Sequence, residues 1–391
     1  MKGEIQTREE NLNDDEIHSI IKNLNPKEYK EKVKKLLNIH QKLVEKEEGF
    51  HKTRFELKYG VSSGLSVGYF GSQGRFYVPF LKEYFEKVLK FKPTYFAETP
   101  AGSNSISYGM IQYDIPIVAT NDISFWSYCI SRGILKNDEI LTDDEVSTIL
   151  KQSCNGYLVN KREDLPMPLE VKQNIDGVVR FIKEKNIDKY YTILAILGKF
   201  MLSNLTFRSM TWDKNRMKDS NFCSVSVLHN YIKKWVKKFN VLIQDKGKDV
   251  TTVLSYQKDH KEFINSISPP SKGSVLYCDF DWPWSDGRET EVYTWYIEDI
   301  SSIIFGDKIQ PNISYWTKHN IKKELLGIIK LSLEKFEYMF LSTQSSNYPH
   351  IEVLKEWVTE VAKIVDYCFI DTLSLVANKN FREELLILKR K

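Results

Sequence analysis

Two stretches of this chain alternate short apolar runs with amphipathic segments, and the alternation breaks between them. In residues 70–150, LKEYFEKVLKF reads as a helix and PTYFAE as a strand ending in the turn AGSNS. ISYGMIQYD resumes a helix, IPIVATND is a second buried strand, and SFWSYCISRGIL is again helical. LTDDEVSTIL opens with Thr142 and Glu145 at capping-box spacing. After the linker-like Ser268-Pro269-Pro270-Ser271, GSVLYCDFDWPW reads as a buried strand that ends abruptly. YTWYIEDISSIIF and KKELLGIIKLSLEKF (helices), YMFLST (strand), HIEVLKEWVTEVAKIV (helix) and YCFIDTLSLVA (last strand) complete the series. Strands that alternate with helices favour a parallel sheet covered by helices, because parallel neighbours need long crossovers. The expectation is an α/β domain formed by residues 55–150 and 271–391. Residues 151–270, with YYTILAILGKFML and VLHNYIKKWVKKFNVLI, read as a mostly helical insertion. Residues 1–54 read as a charged helical extension without chemistry of its own.

Composition excludes several classes. At 391 residues, 42 % hydrophobic and 28 % charged, the chain is neither disordered nor a disulfide scaffold, and it is long enough for two folded units. Cys129, Cys154, Cys223, Cys278 and Cys368 are scattered with no CxxC pair, and the seven histidines form no HxH or HxxxH pair. No metal site is therefore expected. The first residues lack the apolar stretch of a signal peptide, and no eighteen-residue apolar run is present. A cytoplasmic protein is the expectation.

The net charge of +4 conceals an asymmetry: residues 151–270 hold 21 Lys+Arg against 12 Asp+Glu, +9, which leaves −5 for the rest. A concentrated basic segment suits the polyanionic backbone of nucleic acid; a solvated helix face is the competing reading. Its clusters are Lys183, Lys185 and Lys189, then Lys214, Arg216 and Lys218, then Lys233, Lys234, Lys237 and Lys238.

Three strand ends carry the candidate chemistry. Glu98-Thr99-Pro100-Ala101-Gly102-Ser103-Asn104-Ser105 joins a strand to a helix through small residues, as a loop that approaches a ligand does, or as any tight loop does. Asn121-Asp122 ends the next strand, where an acid either accepts ribose hydroxyls or caps the following helix. Asp281-Trp282-Pro283-Trp284 follows the strand VLYCDF with an acid, a stiffened turn and aromatics, a set suited to holding and stacking a planar amino-bearing base. The register Asp279-Phe280-Asp281-Trp282 has no proline, so Asp281 is preferred.

In order and texture these motifs resemble the Dam-like DNA adenine-N6 methyltransferases, over roughly residues 65–135 and 272–350. Tyr69-Phe70-Gly71-Ser72-Gln73-Gly74-Arg75 is similar to the family's opening cofactor loop. Glu98 to Ser105 resembles its E-P-F-x-G-x-G-S motif, and Asp281 to Trp284 its D-P-P-Y. Phe340-Leu341-Ser342-Thr343 is similar to a later strand. The departures are Asn104 for a glycine, Gln73 for a lysine with Arg75 two residues on, and Trp282 and Trp284 within the catalytic motif. The resemblance implies a Rossmann-like methyltransferase sheet with helices on both faces and a target-recognition domain in the basic insertion. It also implies S-adenosylmethionine as cofactor, held by Tyr69, Gly71, Gln73, Glu98, Pro100, Gly102 and Asp122. Asp281 and the Trp282 carbonyl would take the N–H groups of a flipped adenine, next to Pro283, with Trp284 stacked on it. Double-stranded DNA would be gripped by Lys233, Lys234, Lys237 and Lys238, with Arg208, Asn215, Arg216 and Gln257 as candidate base readers. A cognate restriction endonuclease is a further partner the resemblance suggests. The alternatives are a non-catalytic nucleic-acid-binding protein on the same fold, or methylation of RNA or of another amino-bearing base.

Overall fold

Short runs rich in β-branched and aromatic residues, buried along most of their length, build the centre of the chain as parallel strands require. The computed structural model describes residues 74–206, 212–246, 251–280, 282, 299–309, 320–344, 348–374 and 379–391. The strands are β1 (Tyr95–Glu98), β2 (Ile117–Asn121), β3 (Thr252–Tyr256), β4 (Ser274–Asp279), β5 (Tyr338–Gln344), β6 (Ala362–Ser374) and β7 (Lys379–Arg390). They form one seven-stranded sheet in the order β3-β2-β1-β4-β5-β7-β6. β1 to β5 are parallel, while β7 runs antiparallel to both β5 and β6. The result is an α/β protein whose mostly parallel sheet is compatible with a Rossmann-like fold.

The two-residue period of the strands sends alternate side chains to two cores. Phe96, Val118, Val275, Tyr277 and Phe340 point to one face. There they meet helices α1 (Gly74–Tyr84) and α2 (Ser105–Ile111). Tyr95, Ala97, Ala119, Leu276, Cys278 and Leu341 point to the other. On that side the helices include α8 (His260–Ser266), α9 (Ile321–Lys335) and α10 (Ile351–Val358).

The first core continues without a break into the helical segment. This comprises α3 (Phe125–Ile130), α4 (Asp143–Leu150), α5 (Leu169–Lys185), α6 (Tyr191–Asn204) and α7 (Val225–Asp245). The capping box at Thr142 and Glu145 is formed as expected. The Trp126 indole N–H donates to the Ala195 carbonyl at 2.9 Å. Gly198 makes that approach possible, since a Cβ there would lie 2.4 Å from the indole nitrogen.

Two expectations need correction. Residues 151–270 do not form one inserted unit before β4. The helices are the crossover from β2 to β3, β3 itself is the sheet's edge strand, and α8 covers the opposite face. The helix expected over 350–365 stops at Val358, and Ala362 begins β6, because from Val361 to Cys368 burial alternates with a period of two and side chains there serve a strand. β7 had no counterpart in the sequence reading. No helix among the described residues is long and apolar enough to cross a membrane.

One ion-pair network fastens the crossover to the second half of the chain. The Arg162 guanidinium reaches Asp299 at 2.6 and 3.3 Å and Asp164 at 2.8 and 2.9 Å. The Trp212 indole N–H donates to the same Asp299 carboxylate at 2.6 Å. Arg162→Ala would leave Asp299 with the Trp212 indole as its one donor among the described residues. It is expected to lower unfolding free energy by about 2–3 kcal/mol, read from the denaturant midpoint at unchanged slope.

Candidate functional site

In an open parallel sheet, ligands bind beyond the carboxyl ends of the strands, where the chain order reverses. That point lies between β1 and β4, which are neighbours in the sheet although β2 and β3 come between them in sequence. The ends of β1, β2 and β4 place Glu98, Asn121-Asp122 and Asp279 at this edge.

The loop after β1 is held by backbone and by one carboxylate. The Thr99 N–H extends the ladder to the Tyr277 carbonyl at 3.0 Å, and the Ala101 N–H reaches the Asn121 carbonyl at 2.9 Å. The Thr99-Pro100 peptide is cis. The Gly102 N–H donates to Asp122 Oδ2 at 2.7 Å and the Ser124 N–H to Oδ1 at 2.8 Å. Gly102 stands at φ +49° and Asn104 at φ +57°, both in the left-handed region. Glycine enters that region freely, and asparagine is among the few other residues that do. Asn104 therefore sits in the left-handed turn at little cost. Its side-chain amide also donates to the Gly102 carbonyl and to Ser127.

Three acids share this edge. Glu98 is buried, and its Oε2 accepts from both the backbone N–H and the hydroxyl of Ser107. Its Oε1 takes no hydrogen bond from the described residues. Burial pushes the Glu98 carboxyl up to about 8; the Ser107 bonds oppose this, and the charges of Asp279 and Asp122 add to it. Asp279 is pushed up to about 6 by its enclosed position, against the pull of the Ser342 hydroxyl. Asp122 is raised by burial and held back by its N–H donors. The donors that serve these acids are all neutral.

Around them stand groups that the motifs did not announce. His260 Nδ1 is 2.8 Å from the Thr99 hydroxyl, and the His260 ring meets Phe280 edge to face at 5.0 Å. Its pKa falls to about 4 through burial, so the ring is neutral. The Asn121 amide donates to the same Thr99 oxygen and to the Lys258 carbonyl, both at 3.0 Å. The Tyr77 and Ser342 hydroxyls are 3.2 Å apart. Among the described residues no group of three or more His, Cys, Asp or Glu is placed to hold a metal ion.

The structure brings Glu98, Pro100, Gly102, Asp122 and Trp282 to one edge. Asp122 does so as a brace: its oxygens accept the Gly102 and Ser124 N–H groups, close to the second of the two roles, ribose acceptor or helix cap, that the sequence left open. The Trp282 side chain is buried, and its indole N–H donates to the Ser342 carbonyl at 2.9 Å. Tyr69, Gly71, Gln73, Arg208, Asp281, Pro283 and Trp284 lie outside the described residues. Asp279, set aside in the sequence reading for want of a proline, is the acid seen at the end of β4. Its signal was present, since it is the last residue of the apolar strand.

In the basic segment, Lys233, Lys234, Lys237 and Lys238 are exposed on α7, away from buried Leu228, Ile232, Val236, Phe239 and Ile243. Arg216 pairs with Asp213 at 3.4 Å and covers the Phe222 ring. Two lysines of the first cluster serve the fold. Lys189 pairs with Glu139 and Glu145 at 2.9 Å each, and Lys183 donates to the Phe305 carbonyl at 2.8 Å. No protein-family model and no curated protein matches the chain.

The folded chain keeps Glu98 protonated up to about 8, whereas the unfolded chain releases that proton near its ordinary 4.5. Folding therefore takes up a proton in this window, and the acid's contribution to stability is lost as pH rises through it. Glu98→Gln is expected to melt higher than the wild type by a margin that widens between about pH 5 and about pH 8. A margin independent of pH would show that Glu98 titrates normally.

Proposed function

We propose that this protein transfers a methyl group from S-adenosylmethionine to the exocyclic amino group of adenine in DNA. The observation that carries the reading is the set of three acids at the switch point, raised in pKa and served only by neutral donors. Such a cluster gains from a positively charged ligand, which restores the ionised forms that burial disfavours. S-adenosylmethionine brings a sulfonium carrying a transferable methyl group, and an ammonium. Glu98 Oε1 is the open acceptor for such a group. The Gly102 turn lets backbone come close, and Asp122 keeps that turn in place. The sheet order up to β5 and the basic crossover support the reading at the level of architecture.

Asp279 takes the role that the sequence reading gave to Asp281. The lone pair of an adenine amino group is delocalised into the ring, and it becomes available when the N–H groups are held by acceptors. Asp279, at about 6, is mostly ionised at neutral pH and accepts one such bond. As the nitrogen–methyl bond forms, the sulfur–methyl bond breaks with its electron pair staying on sulfur. The amino group then releases one proton, for which the Asp279 carboxylate is the acceptor at hand. The buried Trp282, its indole N–H on the Ser342 carbonyl, ties the chain just after β4 to β5. The target base must leave the duplex, at a cost of about a few kcal/mol.

Calorimetry with S-adenosylmethionine is expected to show binding that tightens as pH rises from about 6 to about 8, the range in which Glu98 becomes ionised. DNA from an expressing host is expected to contain N6-methyladenine. Asp279→Asn should lower turnover about 10²–10³-fold with cofactor affinity retained. Asp281→Ala is the comparison: loss of activity there, with Asp279→Asn active, would return the role to Asp281. Absence of both cofactor heat and modified base would sink the proposal.

A further inference from the structure

α6 runs through the core of the crossover, and one of its inward positions is a lysine. Lys199 is 6 % exposed, between Gly198 and Phe200 in a run where every residue from Tyr191 to Met201 is buried. Its ammonium has no hydrogen-bond or ion-pair partner among the described residues. It lies 4.1 Å from the centroid of the Trp235 ring on α7. The exposed Lys238 ammonium lies 4.3 Å from the same centroid. The two positive charges can therefore be no further apart than about twice that distance, with no carboxylate paired to either. The Tyr231 hydroxyl donates to the Ser203 hydroxyl alongside, at 3.2 Å.

A largely buried lysine whose ammonium has no partner among the described residues is costly for a core to hold, and a methionine or leucine would pack the same stem without that cost. Contact with an indole face offsets part of it, but a second cation on the same ring takes some of that back. Burial and Lys238 together lower the Lys199 pKa to about 8. The arrangement lacks one component, a negative charge.

We infer that Lys199, Lys238 and Trp235 form an anion site that clamps a backbone phosphate of the nucleic acid. The rest of α7 indicates the kind of anion. Lys233, Lys234 and Lys237 continue the exposed row, and α7 carries no acidic residue before its last, Asp245. An uninterrupted row of cations at helical spacing suits a chain of regularly repeated phosphates. The clamp differs from that row in kind. The exposed lysines hold a solvated charge that any salt ion can answer, whereas Lys199 holds a partly desolvated one that gains more from being paired. The inference rests on nucleic acid being the substrate and is independent of the methyl-transfer chemistry.

The test is the affinity of a fluorescein-labelled DNA duplex as a function of salt, for the full chain and four variants, with thermal melting and S-adenosylmethionine calorimetry in parallel. Lys199→Met is expected to melt at or above the wild-type temperature. It should nevertheless bind the duplex about ten- to a hundredfold more weakly, with a log–log salt slope shallower by about 0.9. Lys238→Gln should move binding in the same direction, Lys199→Arg should retain most of it, and Lys151→Gln, an exposed charge elsewhere in the segment, should leave it unchanged. Unchanged affinity and slope in Lys199→Met would overturn the inference. So would loss of stability in that variant with normal binding by Lys238→Gln, since Lys199 would then be a packing element. A wild type that binds S-adenosylmethionine but no duplex overturns the clamp while leaving methyl transfer to another substrate. A wild type that binds the duplex but not S-adenosylmethionine, with Lys199→Met impaired, keeps the clamp and overturns the methyl-transfer reading.

Discussion

The carboxylate of Asp122 holds the mouth of this sheet together. One oxygen fixes the Gly102 N–H of the β1–α2 turn, and the other fixes the Ser124 N–H at the start of α3. The two turns leave neighbouring parallel strands in the same direction, and nothing in a parallel ladder ties such turns to each other. Here the buried Asp122 does so, together with the Ala101 N–H on the Asn121 carbonyl and the Asn104 amide on Ser127. Its cost is the desolvation that raises its pKa, and its charge in turn helps to keep Glu98 protonated. The geometry of the loop and the electrostatics of the edge thus have one source.

Titratable groups held inside the protein without an opposite charge mark both the sheet edge and the crossover. At the sheet edge, three acids have only amides and hydroxyls as partners among the described residues. In the crossover, two lysine ammoniums lie within about 4 Å of the centroid of one tryptophan ring. Cores normally avoid both arrangements, because a desolvated charge is paid for by the whole fold. The acidic edge suits a cationic cofactor, and the basic helix pair suits a polyanion.

How much was legible beforehand follows from how each feature is encoded. β1, β2, β4 and β5 were readable because a short apolar run next to a turn has the same meaning wherever it sits. The Thr142–Glu145 cap was readable because all its partners lie within one turn of helix. The helix end at Val358 was not, since VTEVAKIV satisfies helical and strand periods about equally and only pairing with β7 decides between them. Glu98, Gly102 and Asp122 were legible as residues at or just after the ends of β1 and β2 because they close elements that could be seen. His260 was missed because its partner Thr99 is 161 positions away and no local pattern marks it. Lys199 was missed because a single lysine in an apolar helix reads as a stem reaching for water.

By itself the sequence determined the α/β class, the strands that bear the acids and the concentration of basic residues in one segment. These depend on spacing between near neighbours and on counting. Only the tertiary structure decided that β3 closes the edge of the sheet and that the basic helices are a crossover sharing its core. It alone decided that Asp279 joins Glu98 and Asp122, and that Lys199 and Lys238 meet at one indole. Each of these is a contact between distant segments, set by strand order and helix packing, and no local periodicity records which segments will meet.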